Sequence, residues 1–179
     1  WNTITGETSI TSIGYASDTG SNYVGLYAVE VNGKQLVDSG VSVTNVPSIA
    51  STVRANPSAG FSIQTWTASG SESIIAHNLN ISPEFIIVKR RSSAQDWYVW
   101  HKALTSSQYL FLSSTSAVQS YSNIWGADGP SSSVFTFAAS PGDHVSYCFA
   151  PVEGYSAMGS YTGNGSADGP FVFTGFKIS

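Results

Sequence analysis

Residues 60–91 read GFSIQTWTASGSESIIAHNLNISPEFIIVKRR. Within them SIQTWT, SIIAHNL and EFIIVKR are rich in β-branched and aromatic residues. Gly, Ser, Asn and Pro clusters separate them, which is the pattern of strands punctuated by turns. Each run is shorter than an ordinary helix, and no 3.6-residue apolar period joins them. The pattern continues downstream as DWYVWHK, QYLFLSS, SVFTFAA and VSYCFAP, at spacings of about 8 to 15 residues. Nothing helical lies between the runs to make parallel βαβ units. The expected fold is therefore all-β, an antiparallel β-sandwich or jelly-roll-like unit.

The opening of this stretch is echoed near the end of the chain. GFSIQTWTASGS (60–71) lies over GYSAMGSYTGNGS (154–166): Gly60, Phe61 and Ser62 meet Gly154, Tyr155 and Ser156 at a separation of 94, and Trp66, Thr67 and Gly70 meet Tyr161, Thr162 and Gly165 at 95. HNLNIS (77–82) then lies over TGFKIS (174–179). A fixed period of this size marks tandem units, so 154–179 is expected to lay down the first strands of a second repeat, after a first that spans 58–153.

Composition agrees with an all-β chain. Only 10% of the 179 residues are charged while 13% are aromatic, leaving Ser, Thr and Gly to fill the polar positions. Long amphipathic helices need more Glu, Lys, Arg and Gln than this. A net charge of −4, with one basic cluster at Lys89, Arg90 and Arg91, argues against nucleic acid as a partner. No run approaches the length of a membrane span, so no membrane insertion is expected. The single cysteine, Cys148, sits in the apolar run SYCFA and reads as a buried, unreactive thiol in a central strand.

Ahead of the repeat, residues 1–45 read as strands, with VGLYAVEV, Asn32-Gly33 and KQLVDSG as the strongest hairpin signal, because a type I′ turn needs positive φ at both central residues. Residues 46–57 read as a connector, since Pro47 and Pro57 bar a central strand.

GFSIQTWTASGS with His77, Leu79 and Pro83, then IIVKRRS, DWYVWHKAL, YLFL, SSVFTF, YCFAPVEGYS and GSYTGNGSADGP, together resemble the tandem β repeat of large virion proteins of marine phages, cyanophages in particular. The resemblance covers about Ala55 to Ser179. The turn AASPGDHVSY departs from the Asn- and Gly-rich pattern expected there. More weakly, residues 1–45 are similar to the end of a lectin-like β domain. The resemblance implies a structural or tail-fibre-like role on the virion surface, outside the cell, with a homotrimer as the first expectation for assembly alongside other virion proteins. It brings no catalytic residue.

Sharper chemistry is weakly supported. Asp18-Thr19-Gly20-Ser21 spells an aspartic-protease motif, but there is no second copy to share a proton. His77, His101 and His144 have no close ligand spacing, so neither metal nor cofactor is expected. No GxSxG elbow is present. Glu84 and Asp96 flank one strand and are the weak basis for a glycosidase. The aromatics have a better claim. Alternation in DWYVWHK puts Trp97, Val99 and His101 on one face and Tyr98, Trp100 and Lys102 on the other. Trp97, Trp100, His101 and Trp125 are thus candidate contacts for a glycan or a neighbouring subunit. The function expected is a non-enzymatic structural component of a phage appendage or surface fibre that also serves host attachment. The alternatives are a carbohydrate-binding adhesion module that holds a host surface glycan and, third, a glycan depolymerase fragment.

Overall fold

The computed structural model describes residues 29–31, 34–36, 46–138 and 140–175. Among these, every regular element is a strand apart from one 3-10 turn. Two short strands open the described part, β1 (Val29–Val31) and β2 (Lys34–Leu36). They pair antiparallel with Val31 opposite Lys34, and the expected turn at Asn32-Gly33 lies outside the described residues. The Asp18–Ser21 motif lies outside the described residues.

Next comes β3 (Ser51–Asn56), which pairs with β4 (Phe61–Ala68) over six residue pairs. This corrects the reading of 46–57 as a connector. Pro47 and Pro57 flank β3 without entering it. Pro57 starts the 3-10 turn Pro57–Ala59, capped by the Asn56 side chain, which accepts from Ala59 N at 3.2 Å. Gly60 ends that turn at φ 63°, where a Cβ would stand 2.3 Å from the Ala150 carbonyl, so only glycine fits.

After β5 (Glu72–Ala76) the chain forms the meander β6 (Phe85–Arg90), β7 (Tyr98–His101), β8 (Gln108–Phe111) and β9 (Gln119–Ser120). It then crosses to β10 (Val134–Ala138), and returns as β11 (Gly142–Phe149). The large sheet has the order β1-β2-β3-β4-β11-β6-β7-β8-β9, and β10-β5 forms a second sheet. Both are antiparallel and pack together as a β-sandwich. The last strand in sequence is central in space: β11 pairs with β4 over eight residues and with β6 over six.

The small sheet sets Ile75, Phe135 and Phe137 against Trp66, Ile86, Val88, Trp100 and Cys148 of the large one, and Ile124 and Trp125 close the core from the β9–β10 loop. In β4 and β11, however, the inward set is largely polar. Ser62, Gln64, His144 and Ser146 are buried, whereas Phe61, Ile63, Tyr147 and Phe149 face outward and are half-buried. The inversion is tolerated around Gln64 because Ser62, Gln64 and Ser146 satisfy one another. Gln64 Nε2 donates to Ser62 Oγ at 2.6 Å, and Gln64 Oε1 accepts from Ser146 Oγ at 2.5 Å and from Cys148 Sγ at 3.5 Å.

Residues outside the strands cover the free edges of β5 and β10. Ser48 N donates to Ile74 O at 3.0 Å and Ser48 Oγ accepts from Ile74 N at 2.9 Å, a one-residue imitation of a neighbour for β5. On β10, Ala138 N donates to Ile124 O at 2.9 Å.

Residues 150–175 hold no strand, only an isolated bridge between Val152 and Ser156. Of the echo, the turns persist: Gly60 and Gly154, like Gly70 and Gly165, have positive φ. A strand such as β4 has a ladder on each side, and residues 155–162 have none among the described residues. Tyr155 is therefore exposed where Phe61 is half-buried.

Complete burial pushes the Cys148 thiol far above its ordinary range. The native protein should leave this sole cysteine unreacted with a disulfide reagent such as DTNB over an hour, and take up one equivalent once unfolded in guanidinium. Stoichiometric labelling within seconds under native conditions would contradict its place in the core.

Candidate functional site

Two of the four candidate contact residues are core residues, which corrects the expectation that they meet a glycan or subunit. Trp125 is 0% exposed, lies 5.1 Å from the Phe137 ring, and donates from Nε1 to Gln108 O at 3.0 Å. Trp100 is 8% exposed and faces inward with Tyr98, as alternation along β7 requires. The other two look outward. Trp97 is half-buried, with Lys89 Nζ 6.0 Å from its ring centre, a cation–π distance, while the same ammonium donates to Gln95 O. His101 lies edge-on to Phe85 at 6.4 Å and accepts at Nδ1 from Ala103 N. Four extended steps along the chain separate Trp97 from His101, about 13 Å, so the two do not converge on one ligand atom.

The outward face they share is apolar. Phe61, Phe149, Phe85 and His101 form one cross-strand row, with ring centres 5.1, 5.8 and 6.4 Å apart. Ile63, Tyr147, Ile87 and Val99 form the next. Among the described residues, no second sheet covers this face.

The inner face ends differently. The two-stranded sheet is too narrow to reach the β8 end of the large sheet, and a cleft of about 460 Å³ opens there. Tyr98, Tyr109 and Tyr121 wall it, and Phe137 and Ile124 form its floor. Tyr98 and Tyr109 are packed 5.2 Å apart at 41°, and Tyr98 meets the Phe137 ring at 5.4 Å. Burial raises the Tyr98 phenol above its usual range, so it stays a neutral donor at any ordinary pH. Sequence reading missed this cluster. Its members come from β7, β8 and the irregular β9–β10 stretch, and no local spacing connects them.

The ionisable groups have structural work. Glu84 pairs with Lys102 at 2.8 Å, and Asp96 accepts from Ser113 Oγ at 2.8 Å. Glu84 lies just before the Phe85–His101 end of the β6–β7 ladder and Asp96 beyond its Val88–Tyr98 end, so the carboxylates stand more than about 10 Å apart. That is beyond the roughly 5–10 Å a glycosidase pair needs. Among the described residues, no group of three or more His, Cys, Asp or Glu side chains is placed to hold a metal ion, and no helix is long and apolar enough to cross a membrane. Buried His77 accepts at Nδ1 from Leu79 N at 3.2 Å, which leaves Nε2–H to donate to Ser131 O at 3.1 Å. His144 stacks on Trp66 at 5.4 Å and donates from Nδ1 to Gly142 O. Both act as neutral struts.

With this geometry in hand, comparison with known families gives one match: the model of a domain of unknown function, DUF7483, covers residues 3–179. The chain belongs to that family. Its match crosses all three boundaries drawn from the sequence, near residues 45, 57 and 153. No curated protein and no solved structure matches the chain.

Burial lowers the pKa of His77 to about 4, with the Ser131 hydrogen bond opposing part of the shift. An unfolded histidine titrates near 6.5, so below that pH the unfolded chain binds the extra proton first. Stability from His77 is complete above about pH 6.5 and is lost as pH falls toward about 4, by about 3 kcal/mol in all. His144, also lowered chiefly by burial, adds a loss of the same sign. Urea midpoints measured from about pH 7 to about pH 4.5 should fall, and fall less steeply in His77→Gln. Identical slopes in the two proteins would contradict this assignment. Trp125→Ala should cost about 3–5 kcal/mol, whereas Trp97→Ala should cost about 1 kcal/mol, both measured by urea unfolding.

Proposed function

We propose that this chain is a non-enzymatic structural domain of a phage virion appendage, a spacer and assembly surface that works as a homo-oligomer on the outside of the particle. The resemblance to virion β repeats supplies the setting. The observation that carries the assembly role is that the outer face of the large sheet presents two cross-strand rows of aromatic and aliphatic side chains that no second sheet covers among the described residues.

A second copy is the occupant the outer face suits. Its cross-strand rows carry the cations Arg54 and Lys89 beside the aromatic rings. Residues 151–175 carry Glu153 and Asp168 and no Lys or Arg, and they display Phe171 at 92% and Phe173 at 82% exposure. Aromatic rings left in water on a segment without a strand gain most by burial against another apolar surface. Opposite charges would orient that contact. The tail of one copy against the outer face of the next would thus bury both apolar surfaces.

Sedimentation velocity of the full chain at micromolar concentration is the test. The expected species is a trimer, about three times the 18.9 kDa chain mass. Phe171→Ser with Phe173→Ser, changes at exposed positions that leave the sandwich intact, should shift it toward monomer, as should Ile87→Asp on the outer face. A monodisperse monomer for the unmutated chain would overturn the proposal.

A further inference from the structure

The tyrosine-walled cleft at the β8 end of the sandwich is not needed for assembly, and it is built like a site. We propose that it binds a neutral saccharide, with Tyr98 and Tyr109 as the stacking platform and Tyr121 as an exposed flap. Its volume, about 460 Å³, lies within the range of about 300–1,000 Å³ typical of small-molecule sites. Phe137 and Ile124, both buried, give it a dry floor.

The chemistry selects the ligand. A pyranose ring has an apolar C–H face and a rim of hydroxyls, and tyrosine offers an apolar ring face with a hydroxyl at its edge. Tyr121 is 60% exposed, a large amphipathic ring held in water beside the cleft. The polar lining comes from Gln95, Glu72, Ser71 and Ser140, which supply both donors and acceptors for hydroxyl groups. Neither Lys nor Arg lines the cleft, so nothing there would neutralise a phosphate, sulfate or uronate. A quaternary ammonium is the other guest of aromatic sites, but it needs rings opened around one point. Tyr98 and Tyr109 instead lie against each other at 5.2 Å, inclined at 41°, and do not open around a point.

The rim is pre-shaped. Gly70, at φ 103°, lies so close to Pro141 that a Cβ would stand 2.8 Å from its Cγ. The β4–β5 and β10–β11 turns therefore brace each other on the side of the cleft that carries Ser71, Glu72 and Ser140. A site fixed before binding spends little ordering entropy on a weak ligand.

The test is isothermal titration of the full chain with glucose, galactose, N-acetylglucosamine, cellobiose and lactose, and with tetramethylammonium chloride as the competing chemistry. At least one sugar should bind with a Kd on the order of 0.1–1 mM. Tyr121→Ala, at an exposed position, should weaken that binding about tenfold or more, and Trp97→Ala on the opposite face should leave it unchanged. The Phe171→Ser, Phe173→Ser variant should bind as the unmutated chain does, because the cleft does not depend on self-association. Lack of binding by every sugar up to about 20 mM would overturn the proposal, as would binding of tetramethylammonium alone. Sugar binding lost in Trp97→Ala but kept in Tyr121→Ala would overturn the location.

Discussion

The placement of β11 between β4 and β6 is the constraint from which the rest of the fold follows. Without it the large sheet is two separate pieces, β1 to β4 and β6 to β9, and neither has a neighbour to complete it. Its register is set by a hydrogen-bonded group rather than by apolar packing alone. The Gln64 amide reaches Ser62 on its own strand and Ser146 and Cys148 on the facing one. Because side chains alternate, a slip of one residue would turn Ser146 outward and bring Val145 or Tyr147 against the amide, leaving Gln64 Oε1 buried and unpaired. Buried polar groups so arranged reward one register and penalise its neighbours.

The same alternation accounts for the surface. Committing the inward positions of β4 and β11 to Ser, Gln, His and Cys sends Phe61, Ile63, Tyr147 and Phe149 to the other side. Antiparallel sheets with one wet face usually show the opposite division. Among the described residues, the narrow β10-β5 sheet covers one side of this sheet only, and that incompletely. The uncovered side and the tyrosine cleft thus share an origin in the difference in width between the two sheets.

Much of this was legible in the residues. All seven runs read as strands between 62 and 151 contain observed strands, because short β-branched and aromatic runs between turn residues have few other outcomes. The face assignment in DWYVWHK also followed from period two. Which face met the core did not, since both were apolar, and Trp100 went inside while Trp97 stayed out. β3 was hidden by prolines that border a strand as readily as they exclude one. The cleft was illegible for a different reason: Tyr98 and Tyr109 meet across the β7–β8 pair and Tyr121 reaches them from the irregular stretch after β9, and such long-range placement leaves no trace in local spacing.

One consequence of the strand order concerns synthesis on the ribosome. The edges of β4 and β6 that β11 will occupy are complete once Arg90 has been added, but Gly142, the first residue of β11, is made 52 residues later. At about 5–20 residues per second, those edges stay open for roughly 3–10 s on every nascent chain. They carry Trp66, Ile63, Ile86 and Val88, and neighbouring chains on one messenger present the same edges together. Slow initiation, or a chaperone that holds extended apolar strands, would keep such half-made sheets apart.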